Sequence, residues 1–558
     1  MKNNSGNKGD VLLEMRGLRI EGRAEDQWHE IVHGVDVTLR RGEVLGLIGE
    51  SGAGKSTIGI ASMGFARPGC RITGGSIVFD GMDLRAASDE KLRKLRGSRI
   101  AYVAQSAAAA FNPAHRLIDQ YTETPVQHGV KRKGEAEKEA MELYRRLRLP
   151  DPESIGFRYP HQVSGGQLQR AMTAMAMACR PDLIVFDEPT TALDVTTQIE
   201  VLAAIRDVVE EFNTAAIYIT HDLAVVAQMA DRIMVLRYGD LVEEGNARDM
   251  LAAPKEDYTR QLLAVRSYRK EEAPPDTADV PLLEVRNVTA SYGSGVTVLE
   301  DVNVKVGRGR TVAVVGESGS GKSTLARVIT GLLPPSEGAV LFGGEELPAS
   351  YKNRNRDQLR HAQMIYQMPD TALNPRQKIR DILGRPAGFY LGLSGEARTK
   401  RVRELLEMIE MDPDEFIDRY PGELSGGQKQ RICIARALAA EPELIICDEV
   451  TSALDQLVAE EILKLLQRLQ DELGVTYLFI THDIATVKAI SDEIVVMLQG
   501  RVVDQGAKHD ILTPPHDPYT DLLLSSVPEM DPDWLDNLLA DRAARKARGE
   551  KVMESGDQ

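Results

Sequence analysis

Two short glycine-rich segments carry the residue types that bind nucleotide phosphates. Both fit the pattern G-x4-G-K-[ST], as GESGAGKS at Gly49–Ser56 and GESGSGKS at Gly316–Ser323. Each follows an apolar, β-rich run and precedes a helical pattern, which is the context of a P-loop. Such a loop turns its backbone N–H groups toward the β-phosphate, its lysine reaches the β- and γ-phosphates, and its serine binds Mg²⁺. The predicted nucleotide-binding residues are Gly49, Ser51, Gly52, Gly54, Lys55, Ser56 and Thr57, and then Gly316, Ser318, Gly319, Gly321, Lys322, Ser323 and Thr324.

An acidic pair ends a buried-strand pattern downstream of each P-loop. The segments LIVFDE and LIICDE end in Asp187–Glu188 and Asp448–Glu449. Such a pair is by itself typical of a strand that leaves the core. Downstream of a P-loop it instead indicates a metal-binding aspartate, followed by a glutamate that orients or deprotonates the attacking water.

A third motif predicts a second phosphate clamp. Ser-Gly-Gly-Gln opens an alanine-rich helical pattern twice, and a helix start offers free N–H groups and a hydroxyl to an anion. Kinases and Ras-like GTPases with a P-loop need no such second clamp. The motif residues are Ser164, Gly165, Gly166 and Gln167, and Ser425, Gly426, Gly427 and Gln428.

With this third motif the chain resembles the ATP-binding cassette (ABC) ATPases over essentially its whole length. In that family two cassettes stack head to tail, and each ATP lies between the P-loop of one cassette and the Ser-Gly-Gly-Gln signature of the other. The resemblance implies two sites. The first pairs Lys55, Ser56, Asp187 and Glu188 with the signature at Ser425, and the second pairs Lys322, Ser323, Asp448 and Glu449 with the signature at Ser164.

The same resemblance assigns further residues. Gln105 and Gln367 match the Q-loop, which senses Mg²⁺ and water, so the predicted metal ligands are Ser56, Gln105 and Asp187, and Ser323, Gln367 and Asp448. His221 and His482 match the switch histidine and join Glu188 and Glu449 as predicted catalytic residues. Asp194 and Asp455 match the D-loop that links the two sites.

The two halves differ where the family stacks adenine on an aromatic ring. Tyr292 fits this role in the second half. The aligned position in the first half is Gly22, and Trp28 follows six residues later. Trp28 is therefore a candidate replacement, and a partly exposed or core tryptophan is the alternative interpretation.

These motifs belong to a duplicated domain. The offset between copies is 267 residues from Gly49 to Gly316 and 261 from Asp187 to Asp448, so a single small length difference separates them. The predicted organisation is a first cassette at 10–265, a linker at 266–281, a second cassette at 282–528 and a tail at 529–558. The tail contains one predicted surface helix near Trp534–Arg545. The predicted fold class is α/β: two tandem P-loop cassettes, each with a RecA-like core, an antiparallel β subdomain and an α-helical subdomain.

The composition of the chain limits where the protein can reside and what it can bind. The 558 residues carry a formal net charge of -16, which argues against binding nucleic acid because that needs clustered cations. No apolar run approaches the ~20 residues of a membrane span, and the start of the chain has no secretory pattern. We therefore expect a soluble protein that stays in the cytosol. The resemblance to transporter ATPases then implies a peripheral location on the cytoplasmic face of the inner membrane. The four scattered cysteines predict buried apolar side chains, with neither a disulfide framework nor a zinc site.

Two repeated features indicate a subfamily. An Asn-Pro follows each Q-loop, at Phe111–Pro113 and Leu373–Arg376, and each copy ends in a Pro…Tyr-Thr pattern, at Pro254–Thr259 and Pro515–Thr520. Both resemble the dipeptide, oligopeptide and nickel importers, whose two ATPase subunits are here fused. Some members carry a C-terminal cysteine cluster, and because no cysteine follows Cys447 we expect no iron–sulfur cluster.

The resemblance implies ATP and Mg²⁺ as ligands. It also implies two integral-membrane permeases and a periplasmic substrate-binding protein as partners. Two alternatives remain: a tandem cassette protein that acts on ribosomes, and a fused sugar-importer ATPase. The short linker and the two switch histidines argue against the first, and the complete Lys, Glu and His sets argue against the second. The transported substrate is not predicted.

Overall fold

The chain forms two compact units, as seen in a computed structural model that describes residues 9–24, 26–190, 193–264, 270, 280–293, 295–452 and 454–548. The first unit contains the residues up to Ala264 together with those from Pro528 onward. The second unit is Val265–Val527. The two P-loops therefore lie in different units.

The first unit follows the predicted alternation of strands and helices. Its strands are β1 (Val11–Ala24), β2 (Gln27–Arg40), β3 (Val44–Ile48), β4 (Cys70–Phe79), β5 (Met82–Asp83), β6 (Ile100–Val103), β7 (Leu183–Asp187), β8 (Ala215–Ile219), β9 (Arg232–Arg237) and β10 (Asp240–Asn246). Its helices up to Ala264 are α1 (Lys55–Ala61), α2 (Asp89–Leu95), α3 (Ala107–Ala110), α4 (Leu117–Gln127), α5 (Lys133–Arg146), α6 (Gly165–Met177), α7 (Val195–Glu211), α8 (Leu223–Met229), α9 (Ala247–Ala252) and α10 (Asp257–Ala264).

A six-stranded sheet forms the centre of this unit, in the order β10-β9-β3-β8-β7-β6. Its strands are parallel except β10, and every residue of β3, β7 and β8 is buried. Alternate residues of β7 enter two different cores: Ile184 packs with the helices of the helical lobe, and Val185 packs with α1 and a second sheet. Continuous apolar runs such as LIVF are typical of a strand covered on both faces. Asp187 therefore lies at the carboxyl end of this strand.

The two other layers of the first unit flank the central sheet. The antiparallel sheet β2-β1-β4-β5 packs over α1. On the opposite side, α3–α6 form a helical lobe in which the Tyr121 and Tyr144 rings meet edge to face at 6.0 Å. The first unit thus has the predicted core, antiparallel β subdomain and α-helical subdomain.

The second unit repeats this architecture. Its strands are β11 (Leu283–Tyr292), β12 (Val296–Val306), β13 (Thr311–Val315), β14 (Glu337–Phe342), β15 (Glu345–Glu346), β16 (Ala362–Ile365), β17 (Leu444–Asp448), β18 (Thr476–Ile480), β19 (Glu493–Leu498) and β20 (Arg501–Ala507). Its helices are α11 (Lys322–Ile329), α12 (Arg356–His361), α13 (Pro369–Ala372), α14 (Ile379–Leu391), α15 (Gly395–Met408), α16 (Pro413–Phe416), α17 (Gly426–Leu438), α18 (Gln456–Leu473), α19 (Ile484–Ile490), α20 (Lys508–Leu512) and α21 (Pro518–Ser525). The sheets are β16-β17-β18-β13-β19-β20 and β12-β11-β14-β15. The predicted fold class is confirmed.

The C-terminal segment packs with the first unit. It contains α22 (Trp534–Ala547), close to the helix predicted there. Leu535 has no exposed surface and belongs to the core cluster of the helical lobe and α7. Most of this helix lies at the surface, as expected, and one turn of it is anchored in a core.

The cysteines differ partly from the expectation. All four are free thiols. Cys433 and Cys447 are buried, whereas Cys70 and Cys179 are only half-buried. Burial raises the pKa of Cys433 to about 11, so this thiol stays protonated, as in a small apolar core residue.

Candidate functional site

Each P-loop joins a fully buried strand to a helix that begins at its lysine. Gly49 and Gly316 have φ angles of 144° and 148°. A Cβ at these positions would lie 2.0 Å from the Leu236 carbonyl oxygen and 2.1 Å from that of Met497. Only glycine lets the backbone pass here, and this explains why the pattern begins with that residue.

The two P-loop lysines are buried inside their own loops. Lys55 is 6% exposed and Lys322 is 5% exposed. Each ammonium group donates to the carbonyl oxygens of the first two residues of its loop, at 2.7 and 2.8 Å in both units. At the loop surface, Ser51, Gly52, Ser318 and Gly319 are exposed. The loop therefore places a cation beneath an open, backbone-lined surface.

A buried tyrosine supports the second residue of each loop. The Tyr258 hydroxyl accepts a hydrogen bond from the Glu50 N–H at 3.3 Å, and the Tyr519 hydroxyl accepts one from the Glu317 N–H at 2.9 Å. These are the tyrosines of the Tyr-Thr pattern, in α10 and α21. Sequence reasoning treated that pattern only as a subfamily mark and missed the contact. Its recurrence in both halves was the available signal.

The serine next to each P-loop lysine pairs with the aspartate at the end of a central strand. Ser56 Oγ donates to Asp187 Oδ1 at 2.6 Å, and Ser323 Oγ donates to Asp448 Oδ1 at 3.0 Å. Burial raises the pKa of Asp448. Within the described residues, no group of three or more His, Cys, Asp or Glu side chains could hold a metal alone. One hydroxyl with one carboxylate fits Mg²⁺, because this ion keeps several waters and takes further oxygens from phosphate.

The first Ser–Asp pair has two additional partners. Tyr102, on the neighbouring strand β6, donates to Asp187 Oδ2 at 2.6 Å, and the Arg67 guanidinium lies 3.2 Å from the same oxygen. Burial and the carboxylate raise the pKa of Tyr102, so its hydroxyl stays protonated and donates. The second unit has Met364 and Pro334 at the equivalent positions. Sequence reasoning missed both groups.

The predicted catalytic residues of the first unit lie together. Gln105 Nε2 donates to Glu188 Oε2 at 2.9 Å, and His221 Nδ1 lies 3.3 Å from Glu188 Oε1. Burial would lower the pKa of His221, but the Glu188 carboxylate outweighs this and raises it. Glu188 has φ 49°, a strained left-handed conformation for glutamate.

The second unit repeats this cluster. Gln367 Nε2 donates to Glu449 Oε2 at 2.6 Å, and His482 Nδ1 lies 3.3 Å from Glu449 Oε1. Burial alone would raise the pKa of Glu449, but the hydrogen bond and charge of His482 bring it below its usual value. The same pairing raises the pKa of His482. Both units thus hold a carboxylate between an amide and an imidazole.

The signature residues form capping boxes at helix starts. Ser164 Oγ accepts from the Gln167 N–H, while the Gln167 side chain accepts from the Ser164 N–H. Ser425 and Gln428 make the same pair at the start of α17. Both serines and the first glycine after each, Gly165 and Gly426, are exposed. The second glycines, Gly166 and Gly427, pack tightly: an added Cβ would lie 2.1 Å from Thr197 and 2.6 Å from Val458.

The predicted D-loop aspartates cap helices. Asp194 accepts from the Thr197 N–H at 2.9 Å, and Asp455 accepts from the Val458 N–H at 3.0 Å. Asp194 thus fixes the start of α7, and Asp455 fixes the start of α18, immediately after each predicted catalytic strand.

The predicted adenine-stacking residue adjoins its P-loop. The Tyr292 hydroxyl lies 3.4 Å from Thr324 Oγ1 and accepts from Arg327 at 2.8 Å, and its side chain is partly exposed. In the first unit, the Arg71 guanidinium lies 4.1 Å from the centre of the Trp28 ring. One face of the candidate replacement is thereby occupied.

The sequence as a whole matches known proteins. The ABC transporter family profile matches residues 32–191 and 299–452. The chain belongs to the ABC transporter family. A second profile, for the oligopeptide/dipeptide transporter C-terminal region, matches residues 503–551. The family assignment inferred from the motifs is confirmed, and ATP hydrolysis is the reaction of this family.

Curated relatives match this chain over nearly their whole length. The glutathione import ATP-binding protein GsiA of Salmonella paratyphi A is 37% identical over 93% of this chain and 90% of its own. The protein of the same name from Escherichia coli O6:H1 is 37% identical over 94% of this chain and 90% of its own. These similarities place this ABC ATPase with the peptide-type importers rather than with the ribosomal or sugar-importer alternatives.

Solved structures match single cassettes. The cbiO1 protein of Clostridium perfringens is 33% identical, with a TM-score of 0.39 over 42% of this chain and 91% of its own. The dimeric cassette MJ0796 is 33% identical, with a TM-score of 0.36 over 40% of this chain and 98% of its own. In the described part of this ABC ATPase, no helix is both long and apolar enough to cross a bilayer.

Proposed function

We propose that this protein is the ATP-hydrolysing, energy-coupling subunit of an importer for small peptides, with two hydrolytic sites. The observation that carries the proposal is the complete duplication of the chemical groups. Each cassette has its own buried lysine, Ser–Asp pair and Gln–Glu–His cluster, with equivalent contacts in both. The relatives named for glutathione import support a peptide-like substrate.

The P-loops and the Ser–Asp pairs account for binding of Mg²⁺ and ATP. Lys55 and Lys322 supply the positive charge that a triphosphate needs. Ser56 with Asp187, and Ser323 with Asp448, would hold Mg²⁺ directly or through water, with Gln105 and Gln367 completing the set. The metal ion would neutralise charge on the phosphate oxygens during hydrolysis.

The Gln–Glu–His clusters account for hydrolysis. Glu188 and Glu449 accept the proton of the attacking water, and His221 and His482 hold each carboxylate in place. The lowered pKa of Glu449 keeps it ionised and able to accept a proton. Because His482 donates to the same carboxylate from one side and Gln367 from the other, the orientation of this base is fixed before water arrives.

The exposed signature serines account for the second clamp. In a head-to-tail pair, Ser425 and Gly426 of the second cassette would complete the nucleotide site of the first. Ser164 and Gly165 of the first cassette would complete the site of the second. Their helix starts offer N–H groups to the γ-phosphate. Binding of ATP would close the pair, and hydrolysis would reopen it.

A cavity in the first cassette supports a proposed contact with a permease. It has a volume of about 400 Å³ and lies between the P-loop helix, the edge strand β6 and the helical lobe, lined by Met63, Phe65, Arg96, Tyr102, Thr124 and Met175 among others. Phe65 is exposed, as is Leu332 at the equivalent position of the second cassette. We infer that each cassette receives one cytoplasmic helix of a permease at this place, at the cytoplasmic face of the inner membrane. A periplasmic binding protein would supply the substrate.

The hydrolytic assignment is tested with glutamine variants. The double variant Glu188→Gln and Glu449→Gln is expected to bind ATP in a closed form with negligible turnover, whereas each single variant retains partial turnover. Glu90→Gln, an exposed carboxylate in α2, is the matched control. Normal turnover in the double variant would exclude these glutamates as bases.

The importer assignment is tested by co-purification. We expect the tagged protein to bring down two membrane permeases and no ribosomes. Phe65→Glu should weaken permease capture while ATP binding stays normal, and Met82→Glu, on an exposed hairpin, should not weaken it. Capture of ribosomes instead would favour the translation-factor alternative.

A further inference from the structure

The C-terminal segment docks on the first cassette through a buried apolar contact. Leu535 is fully buried, and Trp534, Leu538 and Leu539 pack against the same core cluster. The chain leaves the second cassette after α21 and enters the first at this point. The segment from Pro528 onward therefore belongs, by packing, to a cassette other than the one that precedes it in sequence.

A buried glutamine in α8 is the polar centre of this contact. Gln228 is 4% exposed. Its Nε2 donates to the carbonyl oxygens of Glu529 at 2.8 Å and Asp531 at 2.9 Å, and its Oε1 accepts from the Leu535 N–H at 3.0 Å. The amide thus uses both its donors and its acceptor on the tail backbone. A buried amide without hydrogen-bond partners would lower the stability of the fold. Here the backbone of the C-terminal segment supplies all three partners of the Gln228 side chain.

Ion pairs flank the buried contact. Arg248 makes two hydrogen bonds to the Asp533 carboxylate, at 2.9 and 2.5 Å. Arg206, which is 15% exposed, pairs with Asp536 at 2.5 Å. The charges complement one another along the start of α22, which sets the register of the segment.

The segment that follows the first cassette makes the reverse contact. Lys270 donates from its backbone N–H to the Ala489 carbonyl oxygen at 2.7 Å, and its Nζ donates to Gln470 at 2.8 Å and Asp492 at 2.9 Å. Ala489 occupies in α19 the position that Gln228 occupies in α8. Each cassette therefore binds, next to the same helix, the segment that follows the other cassette.

We propose that these exchanged segments form a clasp that holds the two cassettes together independently of nucleotide. The surface around Gln228 is the docking site, and its occupant is the segment Glu529–Ala547 of this chain. When the ATP-bound pair opens after hydrolysis, the clasp keeps each P-loop at high effective concentration near the other cassette's signature. The docking is argued from the contacts above alone, whereas its role after hydrolysis rests on the proposed function.

The clasp predicts that the cassettes stay together when the connecting chain is cut. A specific protease site is placed at 271–279 in the full-length protein, which leaves Lys270 on one fragment and α22 on the other. After cleavage, without nucleotide and with EDTA, the wild-type fragments are expected to co-elute at micromolar concentration. Leu535→Asp should raise the apparent Kd between the fragments at least about tenfold, because it places a charge in an apolar core.

The matched control is Asn537→Asp, which adds the same charge to an exposed position of the same helix and should leave the fragments together. A second variant, Gln228→Ala, removes the polar centre without touching the tail and should also separate them. Thermal unfolding of each uncut variant verifies that both cassettes remain folded. Separation of the cut wild-type fragments, or undiminished association in both Leu535→Asp and Gln228→Ala, would overturn the clasp.

Discussion

The Tyr102 hydroxyl donates a hydrogen bond of 2.6 Å to the Asp187 carboxylate, and the second cassette has no counterpart of this bond because Met364 occupies the equivalent position. Arg67 adds a positive charge 3.2 Å from the same carboxylate, where the second cassette has Pro334. The two sites share their motifs, but the side chains that contact the aspartate of the Ser–Asp pair differ between them. In the proposed metal site, Tyr102 and Arg67 would both compete with the metal ion for lone pairs of Asp187.

Removing these competitors should strengthen metal binding at the first site. In a protein restricted to that site by Lys322→Ala, Tyr102→Phe and Arg67→Ala are each expected to raise the affinity for Mn²⁺ with bound nucleotide about two- to tenfold, since each contact is worth about 0.5–1.4 kcal/mol. Electron paramagnetic resonance of free Mn²⁺ measures this directly. Met364→Leu in the second cassette is the control and should change nothing. Unaltered Mn²⁺ affinity in both variants would mean that Asp187 does not bind the metal ion.

The tyrosines behind the P-loops should set nucleotide affinity. Tyr519→Phe removes the acceptor for the Glu317 N–H, which is then left buried without that partner. We expect a loss of about 1–2 kcal/mol, equivalent to a five- to thirtyfold weaker Kd for ATP at the second cassette, and a smaller loss for Tyr258→Phe because its bond is longer. Titration with a fluorescent ATP analogue measures both, and Tyr351→Phe at an exposed position serves as the control. Equal ATP affinity in the three variants would mean that Tyr258 and Tyr519 contribute only packing at these positions.

Adenine stacking should be unequal between the cassettes. Tyr292→Ala is expected to weaken ATP binding several-fold, in line with about 0.5–1.5 kcal/mol for an aromatic contact. Trp28→Ala should have a smaller effect, because Arg71 already covers one face of the indole. Site-specific titrations in the Lys55→Ala and Lys322→Ala backgrounds separate the two values. Losses of the same size would identify Trp28 as the stacking residue of the first cassette.

The Glu443 carboxylate should make stability of the second cassette pH-dependent. Burial alone would raise its pKa, but hydrogen bonds from Arg308 and His361 bring it below the usual value. A lowered carboxylate pKa stabilises the fold above the unfolded value of about 4.5 and loses this contribution as pH falls through the folded value. Arg308→Ala should therefore lower the free energy of unfolding of the second cassette by about 0.5 kcal/mol near pH 7. This difference in unfolding free energy from the wild type should vanish in acid. Urea unfolding at several pH values tests this, and a constant difference would contradict it.

The local chemistry of this protein was readable from its sequence, whereas its long-range contacts were not. A P-loop is specified by eight consecutive residues, because the backbone of that same segment forms the site. The family resemblance pointed to Gln105, Glu188 and His221 as site residues, but the contacts that Gln105 and His221 make with Glu188 were seen only in the structure. No pattern in Tyr258 itself reveals that its hydroxyl meets Glu50, which is 208 positions earlier in the chain.

The docked tail shows the same limit more sharply. The amphipathic pattern around Trp534 predicted a helix correctly, since helical periodicity is local. Its partner, Gln228, is 307 positions away from Leu535, and a lone glutamine inside the apolar helix LAVVAQM gives no sign of what it binds. Only the packing of the folded chain reveals that its amide serves the tail backbone.

The stretch from Tyr519 to Leu535 therefore has a fixed point at each end. At Tyr519 it is attached to the P-loop of the second cassette, and at Leu535 it is attached to α8, the helix that begins two residues after His221 of the first. A single short covalent stretch thus joins the tyrosine behind one predicted nucleotide loop to the helix that follows the other predicted switch histidine.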